Sequence, residues 1–118
     1  MAKQIKTNEC SEYYFKERCF IRELLNTPTE PGLSIAQARV EPGVTTVWHK
    51  LSGTEVYYIL SGAGLAEVNG ETYQVRSGDL IHILAGEAQR ITNTGENDLL
   101  FLAICSPRFV PENYTEVE

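Results

Sequence analysis

Two histidines, His49 and His82, are the only imidazoles in this 118-residue chain. An imidazole near a carboxylate can exchange protons with a ligand or take part in a metal site. Glu55 follows His49 by six residues, and Tyr57 has the same strand parity as Glu55. A carboxyl and a phenol therefore fall on one face if this segment is extended. His82 precedes Gln89 by seven residues. It either joins the same group or serves as a hydrogen-bonded residue of the wall, and the spacing leaves both open. A three-histidine metal site cannot be built from this chain alone. Cys10, Cys19 and Cys105 show no CxxC spacing, so neither a zinc knuckle nor a thioredoxin-like redox pair is supported. They read as reduced thiols, mostly buried, in a cytoplasmic protein.

The elements that must position these residues are short and extended. From Ser34 onward, apolar segments alternate with Gly-rich turns every eight to twelve residues. Strands are predicted over Ser34–Val40, Val44–His49, Glu55–Leu60, Leu65–Val68, Thr72–Val75, Leu80–Leu84, Gln89–Asn93 and Leu99–Cys105. Asn69-Gly70 between two of them is a strong signal for a tight hairpin. No stretch after Ser34 sustains a helical period, so an all-β sandwich or barrel is expected. Cys19–Leu25 fits a helical face or a strand, and a strand is favoured. The tail, Pro107–Glu118, is expected to pack as an irregular arm.

Ten Lys and Arg against 16 Asp and Glu leave a formal net charge of −6. The basic residues are scattered singly, which argues against nucleic acid as a partner. The longest apolar run, Leu99–Cys105, is far below the ~20 residues of a membrane span. The first residues lack the apolar segment of a signal peptide, so no export is expected.

Two blocks carry most of the remaining information: Gly43-Val44-Thr45-Thr46-Val47-Trp48-His49 continuing to Gly62, and Gly78-Asp79-Leu80-Ile81-His82-Ile83-Leu84 continuing to Asn93. They resemble the paired motifs of the cupin superfamily over roughly residues 34–105. Gly43, His49, Glu55 and Gly62 fall on the first motif, with Leu51 at its second histidine position. Gly78, Gly86 and Asn93 fall on the second, with Leu84 replacing a proline and Gln89 a histidine.

The resemblance implies an all-β double-stranded β-helix, a jelly-roll barrel. Residues 1–33 would form an N-terminal arm and outer strand, 34–105 the barrel, and 106–118 a C-terminal arm. It also implies a site in which His49, Glu55 and Gln89 face a divalent metal (Zn, Mn, Ni or Fe) while Leu51 donates nothing. A metal-free pocket with His49 bonded to Glu55 remains the alternative. Glu55 and His49 would be the catalytic pair, with Tyr57, Gln89 and His82 available to a ligand. The implied function is binding of a small molecule, a carbohydrate or organic acid, with sugar isomerase-like chemistry as its catalytic form. A non-catalytic binding or sensing barrel and a metal-dependent dioxygenase are the alternatives. A homodimer is expected, because open sheet edges are often covered by pairing.

Overall fold

The computed structural model describes residues 1–118. Eleven strands run in chain order as β1 (Glu12–Phe15), β2 (Cys19–Leu25), β3 (Ser34–Val40), β4 (His49–Leu51), β5 (Thr54–Ser61), β6 (Ala63–Val68), β7 (Glu71–Arg76), β8 (Leu80–Ile83), β9 (Gln89–Asn93), β10 (Leu99–Ser106) and β11 (Tyr114–Glu116). The only helical pieces are two three-residue 3-10 turns, Thr7–Glu9 and Pro111–Asn113. No helix is long and apolar enough to cross a membrane. Cys19–Leu25 is a strand, and the Asn69-Gly70 turn joins β6 to β7 with both residues at positive φ.

The strands form two sheets, ordered β1-β2-β3-β10-β5-β8 and β11-β4-β9-β6-β7. The expected barrel is corrected here: no ladder joins an edge of one sheet to an edge of the other, so the sheets stay open. The physical reason lies in the crossings between layers. The chain passes from β5 to β6 through Gly62 and from β3 to β4 through residues 41–48, and each sheet keeps its own edges. The interior is closed instead by side chains packed face to face, as in a sandwich. Ile59, Val40 and Leu99 of the first sheet meet Ile91 of the second, all with no exposed surface.

Residues 44–48, expected as part of a strand, make only an isolated bridge at Thr45↔Thr92. Thr46 explains the interruption. Its hydroxyl accepts the Ile91 amide at 2.9 Å while its own amide donates to the Ile91 carbonyl, also at 2.9 Å. A side-chain oxygen thus replaces one rung of the ladder. The tail also differs from expectation, since β11 adds to the edge of the second sheet against β4.

Asn93 shows how a motif residue can be structural. Its side chain, 1% exposed, donates to the carbonyls of Val40 (2.8 Å) and Asn97 (2.9 Å) and accepts the Gly95 amide at 2.8 Å. Asn93→Ala removes three hydrogen bonds, one buried and two part-buried, and is expected to cost about 3 kcal/mol. Urea denaturation checks this; a loss below about 1 kcal/mol would show that the turn holds without it.

Candidate functional site

His49 and Leu51 share the inward face of β4, as strand parity requires, and both are buried. Gln89 pairs directly opposite His49 within the same sheet. Glu55 faces them from the other sheet, and Gln89 Nε2 donates to Glu55 Oε1 at 2.7 Å across the interior. The structure therefore gathers His49, Glu55 and Gln89. Tyr57 shares the inward face of β5 but packs on Phe101 in the core, with ring centroids 4.5 Å apart, and does not line the cavity beside Glu55. His82 is not gathered in. It is exposed on the outer side of β8, beside Glu71, Tyr73 and Glu87. Arg39 also points outward, bound to Glu12 and Asp98.

A cavity of about 60 Å³ opens beside Glu55 and His49. Its wall is mainly apolar, from Phe15, Ile21, Leu51, Ala103 and Phe109, and its acidic members are Glu17, Glu23 and Glu55. Glu17 was not legible in the sequence. It sits in the three-residue turn between β1 and β2, where no periodicity assigns a direction to a side chain. Arg18 at positive φ shapes that turn. The Arg18 guanidinium then holds the turn in place, donating to the Thr45 carbonyl at 2.9 Å and to both oxygens of Glu118 at 3.0 Å. Tyr114 is a second residue without a sequence signal. From β11 it stacks on the His49 ring, with centroids 5.1 Å apart and planes 18° apart.

Burial dominates the electrostatics. It pushes Glu17 up to about 8, with repulsion from Glu55 adding to the rise. It raises Glu55 to about 7, opposed by the hydrogen bonds from Gln89 and Cys105. The same loss of solvent lowers His49. Although Glu17 Oε2 lies 3.4 Å from His49 Nδ1, the two are therefore a neutral contact and not an ion pair. His49 Nδ1 sits 2.8 Å from the Val47 carbonyl, which can only accept, so Nδ1 carries the proton. Nε2 is then the acceptor nitrogen of the ring. Gln89 Oε1 and the Tyr114 hydroxyl are buried without a partner. If Glu55 is protonated, a flip of the Gln89 amide lets Oε1 accept from it, so the pair keeps its bond in either state.

The residues do not fit the divalent metal that the cupin resemblance implies, and the metal-binding expectation is corrected. No group of three or more His, Cys, Asp or Glu is arranged so that it could hold a metal ion. Leu51 occupies a position that would need a donor, and the Gln89 amide offers its nitrogen, not its oxygen, to Glu55. One imidazole and one carboxylate with a neutral amide are a weak set for a first-row metal.

Comparison with known proteins agrees with this architecture. A family model described as "Cupin domain" matches residues 36–105. An uncharacterized protein of Methanocaldococcus jannaschii is 36% identical over 120 residues, covering 98% of this chain and 95% of the relative. An oxalate-binding protein of Thermotoga maritima is 40% identical over 70 residues, 58% of each chain. The solved structure of a predicted oxalate decarboxylase, also from Thermotoga maritima, superposes with a TM-score of 0.81 at 26% identity, covering 89% of this chain and 99% of that one. With both motif blocks, two facing sheets and a family match across more than half its length, the chain belongs to the cupin family.

Proposed function

We propose that this protein binds a small organic acid without a metal, in the cavity between Glu17, Glu55 and His49. The observation that carries the reading is a cavity whose wall holds three glutamates and a neutral histidine, with no Lys or Arg among its lining residues. A ligand carboxylate entering such a site meets no lining cation, so the wall must supply hydrogen-bond donors. A carboxylic acid kept neutral by burial can instead donate its proton in a hydrogen bond to a ligand carboxylate. Glu17, raised to about 8, holds that proton at neutral pH. Size selects among ligands. A volume of about 60 Å³ holds roughly four to six heavy atoms, at ~10–15 Å³ for each water-sized occupant. That suits a two-carbon acid better than a sugar. The names of the two Thermotoga maritima relatives, which refer to oxalate, support the same class.

Calorimetric titration with oxalate, glyoxylate and malonate in the presence of a chelator tests the proposal. Binding is expected at pH 6 and about tenfold weaker at pH 9, because Glu17 has lost its proton. Glu17→Gln, which keeps a donor but cannot titrate, should retain binding and flatten the pH dependence. Absence of binding by all three acids, or binding only with an added divalent ion, would overturn it.

A second reading, proton transfer on the bound acid, is favoured by the neutral imidazole of His49 beside carboxyls that titrate near neutrality. It requires deuterium from solvent to enter the methylene of bound malonate faster than in buffer, seen by NMR, and to stop doing so in Glu55→Gln.

A further inference from the structure

Three consecutive residues of the β1–β2 turn serve two different places. Glu17 turns into the cavity, while its neighbours reach the tail. The Lys16 ammonium lies over the Tyr114 ring, 4.5 Å from its centroid. The Arg18 guanidinium meets both oxygens of Glu118 at 3.0 Å. Glu118 is tied a second time, since its Oε2 accepts the Trp48 amide at 3.0 Å. The Trp48 carbonyl in turn accepts the Val117 amide, also at 3.0 Å. One carboxylate therefore joins the turn that carries Glu17, the segment leading into His49, and the tail beyond β11. Val47 lies in that segment and touches both pocket residues. Its amide donates to the Glu17 carbonyl at 3.2 Å, and its carbonyl accepts from His49 Nδ1 at 2.8 Å.

Further in, Tyr114 belongs to two aromatic contacts at once. It stacks on the His49 ring, and with Phe15 and Phe109 it forms a triad whose centroids lie 6.2 to 6.4 Å apart. All three pairs meet edge to face, and Phe15 and Phe109 line the cavity. Edge-to-face packing is directional, so a displaced Tyr114 also frees the other two rings. We propose that Tyr114 and Glu118 are positioning residues of the cavity: docking of the tail on the Lys16–Arg18 turn fixes the direction of Glu17 and the plane of the His49 ring. Neither residue lines the cavity itself. The hold is light. β11 has three residues, and the Arg18 and Glu118 side chains of the ion pair are 44% and 34% exposed. Exposed pairs of this kind bind weakly. The tail therefore detaches in a minor population, and the site is assembled only while it is docked. The effect on acid affinity rests on the function proposed above; the placement of His49 does not.

NMR of the imidazole C–H groups tests this in the full chain, with the exposed His82 as internal reference. Glu118→Gln makes no contact with His49. It should nevertheless move the His49 signals toward those of Tyr114→Leu and leave those of His82 in place. Calorimetry should show oxalate binding weakened roughly tenfold in both variants, because apparent affinity follows the fraction of molecules whose site is assembled. Tyr114→Phe keeps the stacked ring and loses only a hydroxyl without a partner, so it should match the unaltered chain in both readouts. A residue needed for stability alone would not separate Phe from Leu in this way. By linkage, oxalate should slow hydrogen exchange of the Val117 amide in the unaltered chain. Should Tyr114→Leu fail to fold by circular dichroism, Glu118→Gln against Tyr114→Phe carries the comparison. His49 signals unchanged in folded Glu118→Gln overturn the proposal. So does an oxalate affinity unchanged in that variant where the unaltered chain binds. If the unaltered chain binds none of the acids, the acid-binding function fails and the His49 signals alone decide the positioning role.

Discussion

Raising the pH from 5 to 9 is expected to destabilise this protein by on the order of 4 kcal/mol. The cause is the pair of glutamates in the cavity. Both have folded-state pKa values above the ordinary 4.5, Glu55 at about 7 and Glu17 at about 8. The native state therefore holds more protons than the unfolded chain between those limits. This contribution is complete below about 4.5, is lost as pH rises through about 7 and then 8, and levels off above. The full shifts would amount to more, but mutual repulsion is shared between the two groups and the turn carrying Glu17 can relax. Glu17→Gln removes the later part of the loss and lets Glu55 ionise more easily, so the slope should fall by at least half. Urea denaturation followed by Trp48 fluorescence across this range measures it. Stability that is flat or rises from pH 5 to 9 would show that the two carboxyls are ionised in the folded state.

A large loss for a single methyl group is expected at Gly62. Its φ of +92° disfavours any L side chain, and a Cβ there would lie 2.8 Å from the Asp98 carbonyl oxygen and 3.0 Å from Leu99 Cα. Those atoms are backbone at the start of β10 and cannot turn aside. The left-handed conformation costs about 1–2 kcal/mol and overpacking about 1–3, so Gly62→Ala should lose about 3 kcal/mol or more. Gly43 separates the two causes: it has φ +79° but open space around its Cβ. Gly43→Ala should cost only the conformational part. Equal losses at the two positions, measured by urea denaturation, would mean that β10 yields to the Gly62 methyl.

These two glycines also show how far the chain could be read directly. Both were legible as turns, but not that Gly62 carries the chain from one sheet to the other against β10. The strands from Ser34 to Cys105 were legible because alternation and turn residues are local properties. Val44–His49 was not, because Thr46 exchanges its ladder bond for a side-chain bond to Ile91, a partner 45 residues away. His49 and Leu51 were correctly placed on one face by parity alone. That Gln89 stands beside His49 while Glu55 crosses from the facing sheet depends on strand order, which spacing does not encode.

By itself the sequence determined an all-β domain with cupin motifs and set an upper limit on its chemistry, since two histidines and a leucine at a ligand position deny it a three-imidazole site. Only the tertiary structure decided that His82 lies outside, that the sheets remain open, that Glu17 completes the pocket and that Tyr114 backs the His49 ring. The physical reason is the reach of the forces involved. Alternation and turn preference act within a few residues. The cavity arises where a turn near residue 17, a strand at 49 and a tail at 109 are brought together, and burial there changes what the same carboxyl and imidazole groups can do.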